Sequence, residues 1–488
     1  MNATNQHPTK EISRPQIVDA GSAYPHKPEK SFVKDRAAAF RALITPFSKR
    51  DVNNKLLALC SAQALCSVAT LIHDTYLPVY LQDVLGLSNT KIGNLQALAQ
   101  FLSNMSKSIS GTLADLLTPA RMVIFGTLLT TINKPMFALS GAVYATYGTV
   151  ATVYWVTAGK VFDRMSKGIR EAPSKALIGD LATESGDKAE GAFGLRQAMA
   201  TFGALIGASI AGLAFQLSGQ NYIITFALST VPAVAALLLT LSTFGTSKDK
   251  SLAKEVKEAS KEAEPISLKE RIKGLLSALQ PAYWQALLVV SLLYFARFDA
   301  SFITLRAKTI LPKSQLPLLM STVMVLQAVL SAPSGLQAKK SLAERNKVLL
   351  LGYAAMIGAD LCFAMSSSAA GMFAGAALVG VHMAMTHGVT LAMVASYIPT
   401  KEVPGIGKIS GTCWSFTDFV FGIILAYSNS VAGRLSDMSA RQFNAGNIGC
   451  FVGGSVATIL SGLALLIFTR FGSLGREDAI VSTKRKAA

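Results

Sequence analysis

The chain has 488 residues, of which 51% are hydrophobic and 15% charged, with a mean hydropathy of +0.41. So oily a composition excludes an ordinary soluble protein, and continuous rather than alternating apolar runs exclude a membrane β-barrel. The net charge of +18 does not point to nucleic acid, because the bases fall between the apolar runs instead of in one patch.

Residues 1–53 are polar and basic, with an amphipathic stretch from Arg36 to Ile44 suited to a membrane surface. No apolar segment occupies the first thirty residues, so the first span is expected to serve as the signal. Apolar runs long enough to span a bilayer then follow at about 54–80, 90–114, 121–143, 148–178, 191–217, 221–243, 283–305, 314–337, 347–366, 370–397, 406–430 and 445–470. The reading is an all-α polytopic membrane protein of about twelve transmembrane helices. A Lys/Glu-rich connector divides it into a six-helix unit at 54–244, a linker at 245–280 and a second six-helix unit at 281–470. Residues 471–488 form a basic tail.

Lys and Arg crowd the N-terminal tail, the connector, Lys339–Lys347 and the C-terminal tail, whereas the loops near 144–148, 218–221 and 366–370 carry none. This bias puts both termini in the cytoplasm, Arg434 and Arg441 being the exception. The five cysteines are scattered without CxxC spacing and imply neither a disulfide framework nor a metal site. No Walker loop, zincin pair or nucleophile elbow is present, so no cofactor and no enzymatic centre are expected.

The fourth run fills with charge: Lys160, Asp163, Arg164, Lys167, Arg170, Glu171 and Lys175. Lys160, Arg164, Lys167, Glu171 and Lys175 share one helical face, and Asp163–Lys167 and Lys167–Glu171 are spaced to pair. A charge at mid-bilayer costs roughly 2.5–3.5 kcal/mol, so these groups face a protein interior or a wet cavity. The bases outnumber the acids, which leaves positive charge for neighbouring carboxylates or a bound anion. Further candidates for a solute and proton pathway are Asp74 beside His73, then Arg297, Asp299 and Arg306 in the seventh run, His387 (with His382) in the tenth and Asp418 in the eleventh. Arg297 and Asp299, two apart, are on different faces and are not expected to pair.

The halves echo each other: Met165-Ser166-Lys167-Gly168-Ile169 is similar to Met385-Thr386-His387-Gly388-Val389. Gly203, Gly207 and Gly212 offer a small-residue packing seam. Between the second and third runs, Gly111-Thr112-Leu113-Ala114-Asp115, with Arg121 after the turn, resembles the signature of the major facilitator superfamily. Asp163-Arg164 with Lys167-Gly168-Ile169-Arg170 and Pro173 resembles the Asp-Arg-x-Gly-Lys-Gly-Ile-Arg-x-x-Pro pattern of one bacterial branch. Ser166 stands where that branch has Gly, and the second-half loop Gly335–Lys340 lacks the Asp of the signature.

The resemblance implies two pseudo-symmetric bundles that rock about a central cavity. It also implies a gate in which Gly111, Asp115 and Arg121 meet the start of the eleventh helix near Pro404–Lys408, where the helix dipole favours a carboxylate. The expected function is secondary active transport, coupled to protons, of a small and possibly anionic or carboxylate-bearing solute. The expected setting is a monomer in the bilayer of a bacterial inner membrane. The alternatives are a drug or siderophore efflux antiporter and a non-transporting receptor or scaffold of the same fold.

Overall fold

The computed structural model describes residues 54–116, 118–184, 189–245, 279–398, 410–443 and 446–476. The N-terminal tail with its amphipathic stretch, most of the connector and the end of the C-terminal tail therefore lie outside the described residues.

The first half comprises α1 (Asn54–Asp74), α2 (Leu77–Asp83), α3 (Asn89–Leu116), α4 (Pro119–Glu184), α5 (Ala189–Leu217), α6 (Tyr222–Leu228) and α7 (Thr230–Phe244). The second comprises α8 (Pro281–Ala296), α9 (Ser301–Ala307), α10 (Leu316–Ala338), α11 (Leu342–Met365), α12 (Ala369–Ser396), α13 (Ser410–Gln442) and α14 (Gly449–Arg470). Ten stretches among the described residues are long and apolar enough to cross a membrane. One of them, Pro119–Ile178, has 60 residues, about twice what a bilayer needs. Gly148 interrupts it at φ +77° and ψ −173°, a region open essentially to glycine alone. The two limbs of α4 then run antiparallel: Trp155 Nε1 donates to Met136 O at 2.7 Å and Asn133 Nδ2 to Gly159 O at 2.7 Å. Lys134 meets Asp163, and Arg170 meets Thr130.

The second expected run is corrected in kind. Its helix α3 has 28 residues but is too polar to rank with the ten. The reason is position. It packs on α4 and, across the halves, on α13, so protein rather than lipid surrounds it. With α4 counted as two limbs, α3 completes the twelve spans.

The first and seventh spans are both broken. Thr75 and Tyr76 separate α1 from α2, with Pro78 in the first turn of α2, and Arg297–Ala300 separate α8 from α9. Lipid gives helices no hydrophobic reason to associate, so close packing must hold them. Gly203 and Gly207 of α5 let it approach α1 so closely that a Cβ would lie 2.3 Å from Ala64 O or 2.6 Å from Val68 O. The repeat does not extend to packing at every echo. A Cβ on Gly168 would meet Ser103 O at 2.4 Å, whereas Gly388 has open space.

Cross-half bonds gather at one end of the molecule. Asp437 accepts from Asn89 N (3.1 Å), Asn89 Nδ2 (2.9 Å) and Thr90 N (2.9 Å), so a carboxylate of α13 caps the positive end of α3. Asp83 pairs with Lys308 and Lys313 of the other half. Gly433 and Gly93 allow α13 and α3 to touch there, a Cβ on Gly433 falling 2.4 Å from Asn89 O. Behind this end, Tyr76 stacks on Phe215 at 4.1 Å, with Tyr80, Tyr222 and Phe226 around them. Such ring pairs are worth roughly 0.5–1.5 kcal/mol each beyond their area.

Candidate functional site

A cavity of about 220 Å³ lies between the halves and is lined by Asp74, Gln96, Lys160, Arg164, Lys167 and Asp299, among others. The breaks in the first and seventh spans bring Asp74 and Asp299 to it, since an interrupted helix points backbone and side-chain polar groups inward. A larger hollow of about 370 Å³ at the Phe215–Gln220 turn has no ionisable lining residue.

Asp74 receives Lys160 Nζ at 2.5 Å and Arg164 Nη2 at 3.2 Å. The same Arg164 Nη2 stands 3.8 Å from Asp299 Oδ2, so one guanidinium bridges carboxylates of the two halves. Asp299 is further tied down. Its Oδ1 accepts from Ser301 N at 2.9 Å, and its own N–H donates to Asn429 Oδ1 at 2.7 Å. Behind the lining, Lys134 Nζ donates to Asp163 Oδ1 at 2.5 Å and to Thr70 Oγ1 at 3.2 Å, with Lys134 at 0% and Asp163 at 2% exposure. His73, stacked on Phe137, stands 3.1 Å from Asp74 Oδ1 but is out of line for a hydrogen bond.

Nearer the far end, Glu171 gathers Lys107 (3.2 Å), Lys175 (3.4 Å) and Arg196 (3.9 Å). His387 and Asp418 of the second half lie within electrostatic reach of Glu171, Lys107 and Lys175. Lys167 and His387 are exposed although both sit well inside their helices. Both face this same cluster between the halves, so a wet vestibule reaches them.

The helical spacing misassigned two pairs. Neither Asp163–Lys167 nor Lys167–Glu171 closes to 4 Å; Asp163 takes Lys134, Glu171 takes Lys107 and Lys175, and Lys167 makes no ion pair among the described residues. Spacing alone does not decide. Glu171 does take its i,i+4 neighbour Lys175, whereas Asp163 goes to the buried Lys134, because pairing a charge that would otherwise be buried alone outweighs an i,i+4 pair worth about 0.2–0.5 kcal/mol.

A profile of the major facilitator superfamily matches residues 57–311, more than half of the chain. The chain belongs to the major facilitator superfamily. Superfamily members are membrane transporters, which agrees with two helical halves around a polar cavity. Among solved structures, a mutant of the nucleoside transporter NupG aligns at TM-score 0.61 with 13% identity, over 85% of this chain and 99% of its own. A mutant peptide transporter POT in complex with sulfate aligns at TM-score 0.62 with 16% identity, over 89% of this chain and 99% of its own. At such identities the likeness concerns the fold alone. No curated protein matches the sequence significantly.

Within this superfamily fold, the remaining candidates separate. Arg297 lies at the break of the seventh span, bonded to His382 and Thr386 and not to Asp299. Arg170 packs against Gly126 and donates to Thr130 Oγ1 at 3.0 Å, within α4 itself. Arg306 is absent from the cavity wall. It donates to Phe363 O (2.8 Å) and Ser366 O (3.2 Å), carbonyls at the C-terminal end of α11, where a cation is favoured. Replacing Arg306 by Gln should therefore cost about 1–3 kcal/mol of stability, read as a lower melting temperature in detergent. An unchanged melting temperature would contradict the capping role. Of the expected gate, Arg121 is exposed at the start of α4, while the side chains of Gly111 and Asp115 and the residues Pro404–Lys408 lie outside the described residues.

Three polar residues escaped the sequence reading, Lys107 half-buried, Lys134 and Asp360 buried. Lys107 sits in the polar α3, and Lys134 in an apolar run where only the sequence Asn133-Lys134-Pro135 signals it. Asp360 of α11 is 2% exposed and accepts a hydrogen bond from Ser455 at 3.2 Å.

Proposed function

We propose that the protein is a secondary active transporter that moves a small anionic or carboxylate-bearing organic solute by alternating access, coupled to protons. The observation that carries this reading is Arg164, held in the cavity between Asp74 of one half and Asp299 of the other. Rocking the halves apart must break one of these contacts, and protonation of either carboxylate weakens it, so charge state and conformation are linked. Lys167 adds an unspent positive charge to the lining, which favours an anionic solute.

The two units, residues 54–244 and 281–470, rock as bodies in a bacterial cytoplasmic membrane as a monomer with both termini inside. The end latched by Asp437 and Asp83 then faces outward, and the vestibule at Lys167 and His387 faces the cytoplasm. Gly111, Asp115 and Arg121 form the gate of the opposite end, in keeping with the bacterial branch the fourth span resembles.

Counterflow of labelled organic anions in vesicles tests the reading. Arg164→Ala should lower it at least tenfold, and unchanged counterflow would remove Arg164 from the solute path. Export that collapses with an uncoupler in hypersensitive cells, without anion counterflow, would instead establish the efflux antiporter.

A further inference from the structure

Arg297, at the break of the seventh span, is a cation whose described neighbours are all neutral. Its Nε donates to His382 Nε2 at 3.1 Å, its Nη2 donates to Thr386 Oγ1, and its guanidinium lies over the Tyr294 ring, 5.1 Å from the centroid. His382 Nδ1 lies 2.9 Å from Gly352 O. A carbonyl only accepts and an arginine only donates, so Nδ1 carries the hydrogen, Nε2 accepts, and the imidazole is neutral. Thr386 spends its own hydroxyl hydrogen on His382 O at 2.6 Å. Two tyrosines, Tyr294 and Tyr353, and no carboxylate act on the guanidinium electrostatically among the described residues.

Two polar atoms in this corner have no partner. Arg297 Nη1 is buried without a hydrogen-bond acceptor, and so is the hydroxyl of Tyr353, whose neighbour Ser461 donates instead to Val289 O. A cation without a counter-charge and two buried donors left idle within electrostatic reach of each other are costly unless something negative meets them. Arg297 as a whole is only partly buried, and His387, within its electrostatic reach, is exposed to the vestibule.

We propose that Arg297, with Tyr353 beside it and the neutral His382 fixing its orientation, forms an oxyanion subsite on the second half that receives the carboxylate or phosphate group of the solute. The subsite rests on the carrier reading above and divides its labour. Across the cavity, Asp74, Lys160, Arg164 and Asp299 satisfy one another, whereas Arg297 is satisfied by cargo. An oxyanion accepts from Nη1 and the Tyr353 hydroxyl together, and supplies the counter-charge that no described side chain provides.

The full-length protein, purified in detergent, is titrated separately with inorganic phosphate and with succinate, choline chloride at equal ionic strength being the control, and its melting temperature is followed. At least one oxyanion should raise the melting temperature where choline chloride does not, and the arm that does so identifies the phosphate or the carboxylate class. Arg297→Gln should abolish the rise while melting, without oxyanion, at or above the wild-type temperature, because an uncompensated charge has gone. Tyr353→Phe, which removes one hydroxyl and keeps the packing, should weaken the apparent affinity roughly three- to tenfold, and it decides the matter if Arg297→Gln fails to fold. A full oxyanion response in either variant, or none in the wild type, overturns the subsite. Counterflow is not read here, so a silent titration removes the subsite and leaves the carrier reading to the Arg164 measurement.

Discussion

Lys134→Met should be among the most damaging single substitutions in the chain, costing about 3–5 kcal/mol and lowering the melting temperature in detergent by on the order of ten degrees. It leaves Asp163 at 2% exposure without its 2.5 Å partner, and no water reaches the carboxylate to compensate. Asp163→Asn should cost a similar amount by stranding the ammonium. The double variant Lys134→Met with Asp163→Leu should recover most of the loss, because exchanging a buried pair for apolar groups of similar volume is often neutral. Two additive losses in the double variant would show that the residues act independently, against the pairing seen between the limbs of α4.

The second large effect concerns the latched end. Gly433→Val places a Cβ 2.4 Å from Asn89 O and within 3.0 Å of the Asn89 and Thr90 backbone, atoms that cannot rotate aside. Overpacking of this kind costs typically 1–3 kcal/mol, and here the cost falls on the closed arrangement alone. The population should therefore shift away from closure by roughly 5- to 150-fold. Spin labels placed by Lys91→Cys and Arg434→Cys, both exposed near the junction, report it, since the native cysteines are buried or half-buried. The short-distance population should shrink in Gly433→Val. A distance distribution identical to that of the parent would mean that closure does not depend on this approach.

The charged run of the fourth span was legible because Lys160, Asp163, Arg164 and Lys167 stand close together in an oily setting where each such residue is conspicuous. The helix count was legible for the same reason, apart from α3. Read as an apolar run like the rest, it is polar because of its place between α4 and α13. Lys134 was overlooked because a single base among apolar residues gives no local pattern. Its meaning resides in Asp163, 29 residues away on the return limb. Arg306 was read as a pathway residue because, like Arg297, it interrupts the apolar run of the seventh span. What separates them is the partner that packing supplies: carbonyls at the C-terminal end of α11 for Arg306, and His382 with Thr386 of α12 for Arg297.

By itself, then, the amino-acid order determined that this chain lives in a bilayer as many helices, where its polar seams lie and which stretch concentrates intramembrane charge. Those properties depend on hydropathy and on neighbours three or four residues apart. Tertiary structure alone decided which ion meets which: Lys160 and Arg164 cross 86 and 90 residues to reach Asp74, and Arg164 reaches the other half at Asp299. The physical reason is that a charge removed from water must find its partner in space, wherever the packing of helices brings one, and no spacing along a single helix records that choice.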